Sequence, residues 1–270
     1  MIPKRIIFCW GLGDKMSWMR YMTLKSFRVM NPDWEIILFI IRHGGSTKTW
    51  DSLEEQDFFK YEGEDYTERL CALDITFVPW KASGVIAEAG PQHLSNFLKW
   101  EEMSTTGGFY SDMDILWTQP FDKFFDIAKE YNTVLCRDKW WSIGLLGSTP
   151  NNDFFYDLCQ NAKLHFTMKQ YQCAGVKTLS RLGIKTERDI EERYPGNRVY
   201  NFGMNLVYRW DYNALAKIYQ TIVPIPDSTI GIHWYGGHPM SQAMNNKLCE
   251  GNYREFPCTF TTAVGRTING

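Results

Sequence analysis

No stretch of this chain approaches 18 uninterrupted apolar residues, so no membrane-spanning helix is expected. The apolar run in the N-terminal "MIPKRIIFCWG" is too short for a signal peptide and is followed by no cleavage site. No Cys-x-x-Cys pair occurs. The seven cysteines (Cys9, Cys71, Cys136, Cys159, Cys173, Cys249 and Cys258) are odd in number and scattered, which excludes a zinc ribbon and argues against a disulfide framework. Reduced thiols in a cytoplasmic location are the expectation. Runs of Lys or Arg are missing and the formal net charge is only -2, so neither a nucleic-acid nor an anionic-membrane footprint is expected. Internal repeats, low-complexity tracts and evident linkers are also lacking.

What remains is an ordinary globular composition, 44% hydrophobic and 22% charged over 270 residues, enough for one large core. Aromatic residues reach 16%, with 11 Trp, more than packing strictly requires. Most of these rings are expected in the core, and some on a ligand surface.

"KRIIFCW" reads as a buried strand and "WMRYMTLKSFRVM" as a helix stopped at "NPD", because Pro32 disfavours helical geometry at Asn31. "WEIILFII" is a second strand and "DITFVPW" a third. The β-α-β order predicts a parallel sheet covered by helices, an α/β fold. "PQHLSNFLKWEEMSTTGG" reads as a helix with Pro91 in its first turn and Gly107 at its end. Further on come a helix in "PFDKFFDIAKEY", strands in "TVLC" and "WWSIGLLG", and a helix in "NNDFFYDLCQNAKLHF". A charged helical insertion spans about 170 to 195, and "RVYNFGMNLVY", "YQTIVPIP" and "TIGIHWYGG" read as late strands or extended segments.

The stretch that demands chemistry is "GGFYSDMDILW", residues 107 to 117. Read as one strand, it sends Asp112 and Asp114 to the same face. Two like charges this close are costly to desolvate unless a cation or a bed of donors relieves them. A hard divalent ion bridging to phosphate oxygens meets the need, as does a simpler arrangement, a solvated turn at a strand end. Gly107 and Gly108, just before the pair, permit a close backbone approach to a ligand.

Three segments taken in order, "IPKRIIFCW", "HLSNFLKWEEMSTTGGFYSDMDI" and "GIHWYGGHP", resemble the motifs of the Asp-x-Asp sugar transferases of the GT-A fold. The closest look is to glycosyltransferase family 32, which holds α-mannosyl- and α-galactosyltransferases and is related to the glucosylating toxins. The resemblance implies a GT-A-like, Rossmann-type central mixed sheet flanked by helices, with the mid-chain insertion in an acceptor region. A single domain over residues 1–270 is expected, its nucleotide-sugar half at about 1–120 and its acceptor half at about 121–270.

The resemblance also implies roles. Asp114 is a direct metal ligand and Asp112 a ligand and ribose contact, both catalytic through the ion. His233, in a His-aromatic-x-Gly setting, completes the metal set, and a mixed oxygen and nitrogen site suits Mn²⁺ somewhat better than Mg²⁺. The family helix reads Ser-Asp-x-x-Arg where this chain has Ser95, Asn96 and Lys99, which then face the nucleotide. Ser95 and Lys99 share a helix face. Lys lacks the forked geometry of Arg, and the competing reading for Lys99 is a surface pair with Glu102. His238 sits near a diphosphate-contacting position, and Trp10 and Gly11 close the first strand where the nucleotide base belongs. Trp10 has packing against the second strand as its alternative. Trp140 and Trp141 fall in the acceptor region, with core burial the alternative for at least one. Asp138, Gln172 and Asn201 are polar and plausibly placed, yet no spacing selects a nucleophile among them.

The expected reaction is metal-dependent transfer of a hexose, with retention, from a nucleotide-diphosphate sugar to a hydroxyl on a carbohydrate, lipid or protein acceptor. The alternatives are a metal-dependent nucleotidyltransferase and a noncatalytic sugar- or nucleotide-binding protein on the same scaffold. Glycoside hydrolysis fits poorly, because its two carboxylates flank the bond from opposite sides.

Overall fold

A computed structural model describes residues 1–43 and 61–269. β1 (Arg5–Gly11), α1 (Trp18–Met30), β2 (Glu35–Arg42) and β3 (Thr76–Lys81) open the fold. α2 (Pro91–Thr105), β4 (Gly108–Ser111), β5 (Ile115–Trp117), α3 (Asp122–Ala128), β6 (Thr133–Arg137) and β7 (Trp141–Ser148) follow. The rest comprises α4 (Asp153–Leu164), α5 (Lys177–Arg181), α6 (Glu187–Arg193), β8 (Val199–Asn201), α7 (Ala216–Tyr219), β9 (Gly231–His233), α8 (Pro239–Lys247) and α9 (Thr259–Asn269).

Seven strands form one sheet in the order β3-β2-β1-β4-β7-β6-β8. The first four run parallel, whereas β7 is antiparallel to both β4 and β6, so the sheet is mixed rather than wholly parallel. β5 and β9 leave it and pair with each other as a small antiparallel ribbon. Helices cover the sheet on both faces, the α/β architecture expected.

The alternation of β1 and β2 sorts the core into two layers. Ile6, Phe8, Ile36 and Leu38 pack on one side with Phe27 of α1 and Phe260 and Val264 of α9. Ile7, Cys9, Ile37 and Phe39 pack on the other, against Leu94, Phe97 and Leu98 of α2 and Phe154, Phe155 and Leu158 of α4. Both faces being covered explains why these strands read as continuous apolar runs. Much of the aromatic excess goes here: Trp18, Trp34, Trp100, Trp117 and Trp234 are fully buried. Trp34 alone meets Phe27, Phe109, Phe121 and Phe125 edge-on, at centroid distances of 4.9–6.0 Å.

Two sequence expectations change. "FYSDMDILW" is not one strand: β4 ends at Ser111 and β5 begins at Ile115, in the other sheet. α8 and α9 form where no helix was expected, and "YQTIVPIP", read as a strand or extended segment, enters no ladder. The insertion is irregular through residue 176 and then helical in α5 and α6, the latter opened by a Thr186–Asp189 capping box.

Candidate metal and nucleotide site

Because the chain switches sheets between β4 and β5, Asp112 and Asp114 occupy a turn rather than alternate positions of a strand. Three anchors shape that turn. The Asp112 backbone N–H donates to Gly144 O of β7 at 2.7 Å. From α1, Arg20 Nη1 and Thr23 Oγ1 both donate to Met113 O, at 3.3 and 3.1 Å. The Trp234 N–H donates to Asp114 O at 2.9 Å, extending the β5–β9 ribbon by one more bond.

The register of that ribbon sets Ile115 opposite His233, which brings the late histidine beside the early carboxylates. His233 Nε2 lies 3.1 Å from Asp114 Oδ1, and the Gly236 N–H donates to Asp114 Oδ2 at 2.7 Å. Tyr235 carries the chain between them with φ at +48°, a conformation unusual for a residue with a side chain. Burial alone would raise the Asp114 pKa, but His233, the Arg20 charge and the Gly236 N–H outweigh it and hold the carboxyl far below the ordinary range.

Ligand atoms of Asp112, Asp114 and His233 all lie within 4.8 Å of one another, the compactness one cation requires. Two further observations fit an ion here. Asp114 Oδ1 is buried and accepts no hydrogen bond of good geometry, and Tyr208 Oη is buried with no protein hydrogen-bond partner. The space they surround is kept open by Gly144, where a Cβ would stand 2.8 Å from Asp112 Oδ2, 2.9 Å from Tyr208 Oη and 3.4 Å from His233 Nε2.

Lys99 reaches this cluster from α2. Its ammonium donates to Ile143 O at 2.8 Å and stands 3.3 Å from Asp112 Oδ1, with the side chain only 2% exposed. The surface pairing with Glu102 is therefore overturned; Glu102 takes the Thr106 hydroxyl instead. Asn96 Oδ1 accepts from Lys99 at 3.4 Å, and Ser95 Oγ turns back to Gln92 O at 2.9 Å.

These groups line a cavity of about 680 Å³ that also takes in Trp10, Gly11, Trp141 and Gln172. Trp10 donates its indole N–H to Asp14 O at 3.0 Å, so its ring is fixed at the mouth. His238 does not line the cavity. It caps α8, its Nδ1 accepting the Met240 N–H at 3.0 Å, with Tyr212 against its ring. Gly107 and Gly108 are also absent from the lining. They sit at the opposite end of β4, at φ of +65° and +100°, where a Cβ would strike the 148–150 backbone or the Arg5 side chain. Their need for glycine is structural. Trp140 is 82% exposed, whereas Trp141 is partly buried, packing against the second core layer while also lining the cavity. Asn201 is engaged with Arg137 and Glu187, away from the cavity, and Asp138 lies outside its lining too.

Sequence reasoning missed Arg20, Tyr208 and Gly144. The Arg20 guanidinium is sandwiched between the Trp10 and Trp234 rings at 5.3 and 5.2 Å, buried at the cavity wall. Burial lowers its pKa, and the charges of Asp114 and Asp112 oppose that drop. No signal in the sequence set Arg20 apart from Lys25 and Arg28 on the same helix. Tyr208 stacks near Phe202 and tilts over His233 at 5.0 Å. Burial above all, with nearby negative charge including Asp112, pushes its phenol well above the ordinary value, so the hydroxyl keeps its proton.

No protein-family profile matches the chain, and no curated protein matches it. Among solved structures it is similar to the PaToxG glycosyltransferase, at 13% identity over 100% of this chain and 87% of that one, with a TM-score of 0.45. It is also similar to the galactosyltransferase LgtC in complex with donor and acceptor sugar analogues, at 11% identity, 94% and 100% coverage and a TM-score of 0.43. A third is the apo form of the glycosyltransferase GlyE from Streptococcus pneumoniae, at 11% identity, 96% and 65% coverage and a TM-score of 0.48. Likeness at this level assigns no substrate, metal or activity, which have to be read from the chain's own site.

Proposed function

We propose that this chain is a metal-dependent glycosyltransferase of the GT-A type, resembling family 32, that moves a hexose from a nucleotide-diphosphate sugar to an acceptor hydroxyl. The observation that carries the reading is the convergence of Asp112, Asp114 and His233 within 4.8 Å at the wall of a cavity large enough for a nucleotide sugar.

Asp112, Asp114 and His233 would hold the cation, Mn²⁺ before Mg²⁺ given the imidazole. Its chemistry is charge neutralisation on the departing diphosphate as the glycosidic bond opens through an oxocarbenium-like state. Lys99 orients Asp112 and adds positive charge. Arg20, already desolvated between two indoles, presents a second buried cation to the same anionic group. Trp10 and Gly11 face the base, and Ser95, Asn96 and Gln172 offer neutral hydrogen-bonding groups to sugar hydroxyls. The division into a nucleotide-sugar half at about 1–120 and an acceptor half at about 121–270 belongs to this reading, both parts lining the one cavity.

Retention of configuration is part of the proposal. Among the described residues, the carboxylates lining the cavity are Asp14, Asp112 and Asp114; the last two belong to the cation cluster, and Asp14 contacts His43. Among the described residues this leaves no carboxylate suited to activate an acceptor from the opposite face. The seven unpaired cysteines support a reducing, cytoplasmic setting.

The test is release of nucleoside diphosphate from a panel of UDP- and GDP-sugars, with Mn²⁺ or EDTA, for wild type and Asp114→Ala. Release that needs both Mn²⁺ and Asp114, with one preferred donor, is expected. Donor binding that depends on Asp114 without turnover, under any acceptor mixture, would make the chain a binding module. Pyrophosphate release from a nucleoside triphosphate would make it a nucleotidyltransferase.

A further inference from the structure

Tyr208 ends the "RVYNFGMNLVY" segment, which carried no functional reading, yet its hydroxyl points into the space that the cation cluster surrounds. Its oxygen is fully buried and meets no protein acceptor or donor within hydrogen-bonding geometry. A buried hydroxyl without a partner bears the desolvation cost of that group, so Phe would be the more stable choice at this position unless a ligand supplies the partner. Asp112 Oδ2 and His233 Nε2 approach the same point, the position a Gly144 Cβ would take, but neither accepts from Tyr208. The ring is held rigidly, tilted over His233 and parallel to Phe202, so the hydroxyl is aimed without its own hydrogen bond. The backbone is fixed as well: the Tyr208 N–H donates to Met204 O at 2.8 Å, and the His233 N–H donates to Val207 O at 2.8 Å.

We infer that Tyr208 is a ligand-binding residue of the site, its neutral hydroxyl donating to an anionic oxygen carried beside the cation by a nucleoside diphosphate. The inference rests on the function proposed above and adds a specific donor to it. A neutral donor suits this place, because Lys99 and Arg20 already supply positive charge and a third cation would compete with the metal. Gly144 is the complement of Tyr208: by presenting no side chain, it leaves the room in which that oxygen sits.

Tyr208→Phe keeps the ring contacts and removes only the hydroxyl, so the variant is expected to fold. Two quantities test the inference: the melting temperature without ligands, and the affinity for UDP and GDP in the presence of Mn²⁺ by calorimetry. The expected result is a melting temperature equal to or above that of wild type, together with roughly tenfold weaker binding of whichever diphosphate the wild type prefers, the scale of one hydrogen bond to a charged group. Affinity within twofold of wild type would overturn the role of Tyr208 while leaving the metal site standing. Failure of the wild type itself to bind either diphosphate with Mn²⁺ would overturn both readings together.

Discussion

Asp114 and His233 meet with Oδ1 and Nε2 3.1 Å apart, although they come from different parts of the chain and are joined only through the β5–β9 ribbon. That ribbon makes the cluster a tertiary feature. The carboxylates are presented by a turn held from α1 and β7, and the imidazole is delivered by a strand outside the main sheet. Several consequences can be measured.

Gly144→Ala is the smallest change that should close the site. The added methyl would stand 2.8–3.4 Å from Asp112 Oδ2, Tyr208 Oη and His233 Nε2, in the middle of β7 with no unusual φ to satisfy. Turnover of the preferred donor is expected to fall about 100-fold or more, in line with a group misplaced by about 1 Å at a reacting centre. The melting temperature should stay within a few degrees. Steady-state kinetics and a thermal melt on the same preparation check both halves.

Lys99→Met removes a buried ammonium and leaves Ile143 O without its donor and Asp112 without its neighbour. Because the Asp112 side chain is 35% exposed, water screens part of the loss, and a destabilisation of about 1–3 kcal/mol is expected in urea denaturation. Diphosphate affinity should fall as well. Unchanged stability would contradict the buried geometry of Lys99.

His93 gives a pH signature of stability separate from the candidate site. It is fully buried on α2 beside Phe166, and burial depresses its pKa to about 4 from an ordinary value near 6.5. The unfolded chain therefore takes up this proton at higher pH than the folded one. The stability held by neutral His93 is complete above about pH 6.5 and is lost progressively as pH falls towards 4, by an amount on the order of 2–3 kcal/mol. His93→Gln should flatten this part of the profile, as read from unfolding free energies between pH 4 and 7.

Legibility followed locality. The buried strands were visible because both faces of the sheet are covered, α1 because Pro32 marks where it stops, and α2 because Pro91 opens it. Asp112 and Asp114 could be singled out because paired carboxylates in apolar surroundings are conspicuous, whereas His233 and Lys99 stood out only through the resemblance to the sugar-transferase motifs. The geometry that joins them was hidden. Nothing in "FYSDMDILW" announces a change of sheet, since the hydrogen bonds that force it come from Gly144, Arg20 and Thr23. Gly107 and Gly108 drew a functional reading because a glycine's purpose depends on what lies beside it, here the 148–150 backbone and Arg5. His238 shows the same ambiguity: a histidine before a proline and a helix serves equally as a cap, the role its Nδ1 takes here. Gly144 and Tyr208 gave no local signal, their significance being a shared point in space.

The most direct test of the cation site is a Mn²⁺ titration followed by electron paramagnetic resonance on wild type, Asp114→Ala and His233→Ala, in which free and bound ion are counted without any turnover. Wild type is expected to bind one Mn²⁺ per chain, removable by EDTA, and each variant to bind at least tenfold more weakly. Equal binding by all three proteins, or none by the wild type, would contradict the assignment of Asp112, Asp114 and His233 as the metal site.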